Sequence, residues 1–85
     1  MTDTKKNELI CQLESGLEDA QTGAGVTSLA EIETAVAALR TAYDTDPATV
    51  TEQALLDART MIEGCNFGSI DSSAGEWAAA QAAVA

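Results

Sequence analysis

The sequence predicts an all-α fold, a small antiparallel bundle of three main helices plus a short C-terminal helix. Apolar residues recur at spacings of three and four along most of the chain, which is the period of an α-helix. Gly, Pro, Ser and Asp residues cluster between these periodic segments, where they end one helix or cap the next. With 85 residues, the chain is expected to form one acidic helical domain over residues 1–85.

The first predicted helix runs from about Thr4 to Thr22, and Gly23 and Gly25 end it. Its apolar residues share one face at about 100° per residue, and they are Leu9, Ile10, Leu13, Leu17 and Ala20. Cys11 falls on the opposite face and is expected to be partly exposed.

The second predicted helix has the clearest start, because Ser28 and Glu31 have the spacing of a capping box. An apolar seam follows at alternating spacings of three and four, formed by Leu29, Ile32, Val36, Leu39 and Tyr43. Ala35 and Ala42 flank this seam, and such small side chains permit another helix to approach closely.

The third helix is predicted to start at Asp46 and Pro47, with Asp46 as N-cap and Pro47 at the first helical position. Thr49 and Glu52 offer a competing capping box. The wide apolar face of this helix comprises Val50, Ala54, Leu55, Ala58, Met61, Ile62 and Cys65.

A turn-rich segment comes next, and its Phe67 and Ile70 are predicted to close one end of the bundle. An Ala-rich final helix begins at about Ala74. Because this helix is short, we expect its docking to depend mainly on Trp77.

The charge of the chain restricts its partners. Fourteen acidic residues against four basic ones give a net charge of −10, which repels nucleic acid phosphates and anionic membranes. No stretch approaches the roughly 20 apolar residues of a membrane-spanning helix, and the first ten residues lack the apolar run of a signal peptide. We therefore expect a cytoplasmic protein that binds neither nucleic acid nor membranes directly. The acidity suits a salt-loving host as well as a binding surface.

The residue types give no reason to expect an enzyme, a cofactor or a bound metal. His, the commonest general base near neutral pH, is absent. Without His, Cys11 and Cys65 cannot complete an ordinary structural zinc site within one chain, so we interpret them as free thiols. The acidic residues fall on expected helix faces, caps and turns.

Asp44, Asp46 and Glu52 suggest a calcium loop at first, because alternating acids in a loop can supply oxygen ligands. The pattern fails, since Pro47 follows the second Asp, no Gly occupies the turning position, and Leu55 stands where a bidentate Glu is needed.

Residues 27–33, Thr-Ser-Leu-Ala-Glu-Ile-Glu, resemble the attachment site of acyl carrier proteins, which are also small, acidic and helical. The resemblance covers one short segment and implies that Ser28 carries phosphopantetheine. In that family an Asp precedes the Ser, whereas Thr27 does so here, and the family's long loop between the first two helices is missing. An ordinary capping box also accounts for Ser28 and Glu31.

Our main functional hypothesis is a non-catalytic protein-protein interaction module, an adaptor or inhibitor that also self-associates as a homodimer. This hypothesis depends mainly on Leu56. The residue is predicted to point away from the apolar face of the third helix, among Glu52, Arg59 and Glu63, and so to be exposed. Trp77 and Phe67 are expected to extend this exposed strip.

The alternative is an acidic decoy that imitates nucleic acid and blocks a basic DNA- or RNA-binding protein. The carboxylates that would form its surface are Glu8, Glu14, Glu18, Asp19, Glu31, Glu33, Asp44 and Asp46. Both hypotheses require a protein partner, and the decoy requires a basic one.

Overall fold

The computed structural model describes residues 1–20, 28–64 and 75–85, which form four α-helices, one short 3₁₀ helix and, within these ranges, no strand. In chain order they are α1 (Asp3–Ala20), α2 (Leu29–Thr45), the 3₁₀ helix (Pro47–Thr49), α3 (Glu52–Glu63) and α4 (Gly75–Val84). The predicted all-α class is therefore confirmed.

α1 begins one residue earlier than predicted, because the hydroxyl of Thr2 accepts the backbone N–H of Lys5 and caps the helix. It is described as far as Ala20, and the predicted end at Thr22 lies outside the described residues, as do Gly23 and Gly25. The described members of the predicted apolar face are covered, with Leu9, Ile10 and Leu13 fully buried and Leu17 partly so, while the side chain of Ala20 lies outside the described set. Cys11 is exposed as predicted.

α2 starts where the sequence predicted. The Ser28 hydroxyl accepts the backbone N–H of Glu31 at 3.3 Å, which confirms Ser28 as the N-cap. The apolar seam faces the core, since Ile32, Val36 and Leu39 are buried. Local spacing alone determines both the start and the buried face of this helix.

The predicted start of the third helix was wrong. Asp46 and Pro47 open a separate 3₁₀ helix, in which the Asp46 carboxylate accepts the N–H of Ala48. α3 starts at Glu52, and its N-cap is Thr51, whose hydroxyl accepts from Ala54 N at 3.2 Å. Val50, between the two helices, has an extended backbone and a side chain only 1% exposed. The buried and extended Val50 therefore separates the 3₁₀ helix from α3. The capping residues alone would have allowed one continuous helix from Asp46.

The helices pack around α1 and α3. α1 contacts α2, α3 and α4, and α3 contacts α2 and α4, while α2 and α4 do not meet within the described ranges. Lys6 bonds to Pro47 and Glu14 to Arg40, so contacts between α1 and the α2 region run in opposite chain order, as an antiparallel pair gives. The shared core contains Leu9, Ile10, Leu13, Ile32, Val36, Leu39, Val50, Leu55, Leu56, Ala58, Ile62, Trp77 and Ala80.

One charged side chain is buried beside this core. Lys6 is only 7% exposed, and its Nζ donates to the carbonyl oxygen of Pro47 at 3.2 Å. The N-terminal ammonium of Met1 lies 3.7 Å from Glu52 Oε1. Together these contacts join the start of α1 to the 3₁₀ helix and to the first turn of α3.

Candidate partner-binding surfaces

The predicted exposed strip around Leu56 does not exist on the folded surface. Leu56 is only 8% exposed and belongs to the core. The prediction of its exposure was wrong because α3 packs against α1, α2 and α4, so a second face of the helix is covered as well. A helical wheel shows which residues share a face but not how many faces have neighbours.

Trp77 is also buried, with no exposed surface. Its indole Nε1 donates to Gln12 Oε1 at 2.7 Å, which ties α4 to α1. Its ring lies 5.2 Å from the guanidinium carbon of Arg59 on α3. Trp77 therefore joins three helices within the chain, as its predicted docking role required, and offers no free surface to a partner.

The two acids predicted beside Leu56 have partners within the chain. Glu63 lies 3.7 Å from Arg59 Nε, an ion pair without a hydrogen bond, and Glu52 lies beside the N-terminal ammonium. Nε and Nη1 of Arg59 are buried and make no hydrogen bond within the described part of the chain. The pKa of Glu52 lies below its usual value, chiefly because its own backbone N–H donates to the carboxylate.

Arg40 of α2 connects this helix to α1 on the outer side of the pair. Its guanidinium donates to Asn7 Oδ1 and Glu14 Oε1, each at 2.7 Å, and approaches the Cys11 sulfur at 3.5 Å. It also lies 5.8 Å from the ring centroid of Tyr43. The hydrogen bond to Glu14 raises the pKa of Arg40 above its usual value. Arg40 therefore fixes the register of α1 on α2.

Most of the predicted acidic surface is exposed. The exposed carboxylates are Glu8, Glu18, Glu31, Glu33, Asp44 and Asp46. Glu14 is partly covered and bound to Arg40, Glu8 pairs with Lys5 at 3.3 Å, and the side chain of Asp19 lies outside the described set. These acids lie around α1 and α2 and do not converge on one pocket.

An apolar groove between α2 and α3 was not predicted as a site. α2 contributes Ala35, Ala38 and Leu39, and α3 contributes Ala54, Asp57, Ala58 and Met61, around a volume of about 280 Å³. A shallower depression of about 420 Å³ continues it along α2, past Ala30, Glu31 and Thr34. The sequence signal was Ala35, which flanks the seam of α2. Only the packing of α3 shows that this small residue borders a groove.

Ser28, the attachment residue implied by the carrier resemblance, is exposed and serves as the N-cap of α2. No three metal-ligating side chains come together within residues 1–20, 28–64 and 75–85. None of the described helices combines the length and hydropathy that a membrane span needs. Cys65, Phe67 and Ile70 fall outside the described residues.

Comparison of the chain with protein-family models, with curated proteins and with solved structures gives no match.

Proposed function

We propose that this protein is a non-catalytic protein-interaction module that binds a partner through the groove between α2 and α3. The observation that carries this proposal is the position of the groove. α4 packs against α1 and α3 and makes no contact with α2, so it leaves this side of the α2–α3 pair open among the described helices. Ala38, at the centre of both depressions, is exposed.

The shape and composition of the groove suit a protein partner better than a small substrate. It is shallow, and methyl groups form most of its floor. Removing apolar surface from water stabilises a complex by about 25 cal/mol per Å². Short side chains let the backbone of a partner approach closely, which increases the area buried per residue. Small-molecule sites, by contrast, enclose most of their ligand.

A second candidate function is the acidic decoy. The exposed carboxylates on α1 and α2 favour it, and Arg40, which lies between these helices, is already bound to Glu14. A decoy would bind a basic nucleic-acid-binding protein mainly by charge, so its affinity would fall steeply with salt. Binding in an apolar groove would be less sensitive to salt. Self-association through a surface other than the groove and a cytoplasmic location remain part of the proposal.

Affinity capture from the source cells at low and at high salt, followed by reconstitution with the purified partner, tests the proposed function. We expect a stoichiometric complex in sedimentation that survives the higher salt. A complex that dissociates with salt and is displaced by nucleic acid would favour the decoy instead. If no purified candidate binds at either salt concentration, the interaction module is wrong.

A further inference from the structure

We infer that the groove between α2 and α3 binds one amphipathic helix of a basic partner. The apolar side chains of that helix would pack on the alanine floor, and its Lys or Arg side chains would reach Glu31 and Asp57. This inference rests on the proposed function and specifies the chemistry of the partner.

The dimensions of the groove match a helix. Along α2 the two depressions extend from Ala30 to Leu39, about 14 Å at 1.5 Å per residue. Along α3 the lining residues run from Ala54 to Met61, which is two helical turns. A helix lying between these two ridges would place its anchors at positions i, i+3 or i+4, and i+7. The groove thus takes two to three turns of a partner helix.

The charges around the groove select a basic helix. Asp57 lines the groove, Glu31 lines the depression that continues it along α2, and no Lys or Arg lines either of them. Gln53 Nε2 donates to Asp57 Oδ1 at 2.8 Å, which orients this carboxylate without neutralising it. Cationic residues beside the apolar stripe of a partner would therefore meet two uncompensated carboxylates.

The four basic side chains of the chain are engaged elsewhere. Lys5 pairs with Glu8, and Lys6 is buried against Pro47. The two arginines contact other residues within the bundle: Arg40 of α2 donates to Glu14 of α1, and Arg59 of α3 lies against the ring of Trp77. None of them offsets the negative charge of the groove.

The same charges disfavour the other occupants. A second copy would bring another chain of net charge −10 toward the same carboxylates. Nucleic acid and anionic membranes are repelled for the same reason. A basic helix is the occupant for which both the apolar floor and the charged rim contribute favourably.

The test uses the full chain and a fluorescent synthetic peptide of Leu and Lys, about 18 residues long, that forms an amphipathic helix. A scrambled peptide of identical composition is the control for charge. Binding is measured by anisotropy for wild type and for two matched variants of α2, Ala38→Gln in the groove and Ala37→Gln outside it. Both alanines are exposed on one helix, so the two changes have similar effects on folding, which circular dichroism checks.

We expect Ala38→Gln to weaken peptide binding about tenfold, because a long polar side chain fills the groove. Ala37→Gln should stay within about twofold of wild type. A second pair of variants changes the charge beside the groove and does not depend on filling it. Glu31→Gln should weaken binding about threefold and reduce its salt dependence, whereas Glu33→Gln, outside the lining, should change little.

Equal effects of Ala38→Gln and Ala37→Gln, or equal binding of the scrambled peptide, would overturn the inference. So would sedimentation showing a dimer that Ala38→Gln dissociates, because a second copy would then be the occupant. A natural partner that binds wild type and Ala38→Gln equally would reject the groove but keep the proposed function. Failure of every purified partner to bind would reject the proposed function even if the peptide binds.

Discussion

Replacing Trp77 by Ala should destabilise the whole bundle, because this side chain is the main contact that holds α4 on the other helices. A buried Trp covers about 150–250 Å² of surface, which at about 25 cal/mol per Å² corresponds to roughly 4–6 kcal/mol. The Trp77→Ala change also removes the hydrogen bond to Gln12, worth about 1 kcal/mol, and the contact with Arg59, worth about 1 kcal/mol.

Two effects reduce this loss. The remaining Ala still buries some surface, and water can reach Nε and Nη1 of Arg59, which lack hydrogen bonds in the folded chain. Measured Trp→Ala changes in protein cores cost about 3–5 kcal/mol, less than the sum of such terms, and these two effects place Trp77→Ala near the lower end, at about 3 kcal/mol. A domain of this length has a total stability of about 4–13 kcal/mol. The melting temperature should fall by about 12–24 °C.

Urea unfolding followed by far-UV circular dichroism measures this loss. Val84→Ala is the matched control, since Val84 lies on the same helix but is 41% exposed, and it should change stability by less than about 0.5 kcal/mol. If Trp77→Ala costs less than about 1 kcal/mol, α4 does not dock through its Trp and the fold described here is wrong in that region.

Three further experiments test local contacts. Thr51→Ala should cost about 1 kcal/mol in urea unfolding through loss of the α3 N-cap, whereas Thr41→Ala, on the exposed side of α2, should not show this loss. Glu14→Gln and Arg40→Gln, combined in a double-mutant cycle, should show a coupling of about 0.5–1 kcal/mol that shrinks as salt is added, and a zero coupling would reject the ion pair. Because the folded pKa of Glu52 is depressed, its charge adds stability above the usual Glu value of about 4.3, and this is lost as pH falls through the folded pKa. Urea midpoints should therefore depend less on pH in Glu52→Gln than in wild type over that acidic range, and identical profiles would contradict the assignment.

The features that could be predicted from the sequence depend on residues close together in the chain. Ser28 caps α2 because its hydroxyl needs only the amide three residues further on. The buried face of α2 likewise follows from a helical period that any packing partner preserves. Such local signals predicted the helix class, the start of α2 and the exposure of Cys11.

The features that were missed depend on contacts between distant segments. Asp46 and Thr49 were the predicted alternatives for the N-cap of the third helix, whereas the cap is Thr51, which follows the buried and extended Val50. Leu56 appeared exposed because a single helix cannot show that α3 has neighbours on several sides. The groove exists only where two helices meet, so neither helix alone could indicate it.

The distribution of charge connects the fold to the proposed function. The few cations are used inside the bundle, where Lys6 and Arg40 join α1 to its neighbours. The carboxylates remain mostly at the surface, and two of them, Glu31 and Asp57, lie beside the alanines of the groove and of the depression that continues it. If the groove binds a basic helix as proposed, the same negative field that attracts this helix repels nucleic acid and a second copy from the groove.

The most direct test of partner binding through the groove is an NMR titration of the ¹⁵N-labelled full chain with the purified partner. We expect the largest amide shifts at Ala35, Ala38 and Asp57, with small shifts on the exposed face of α1 and on α4. Shifts concentrated at Glu14 and Glu18 instead, with none along the groove, would contradict the account.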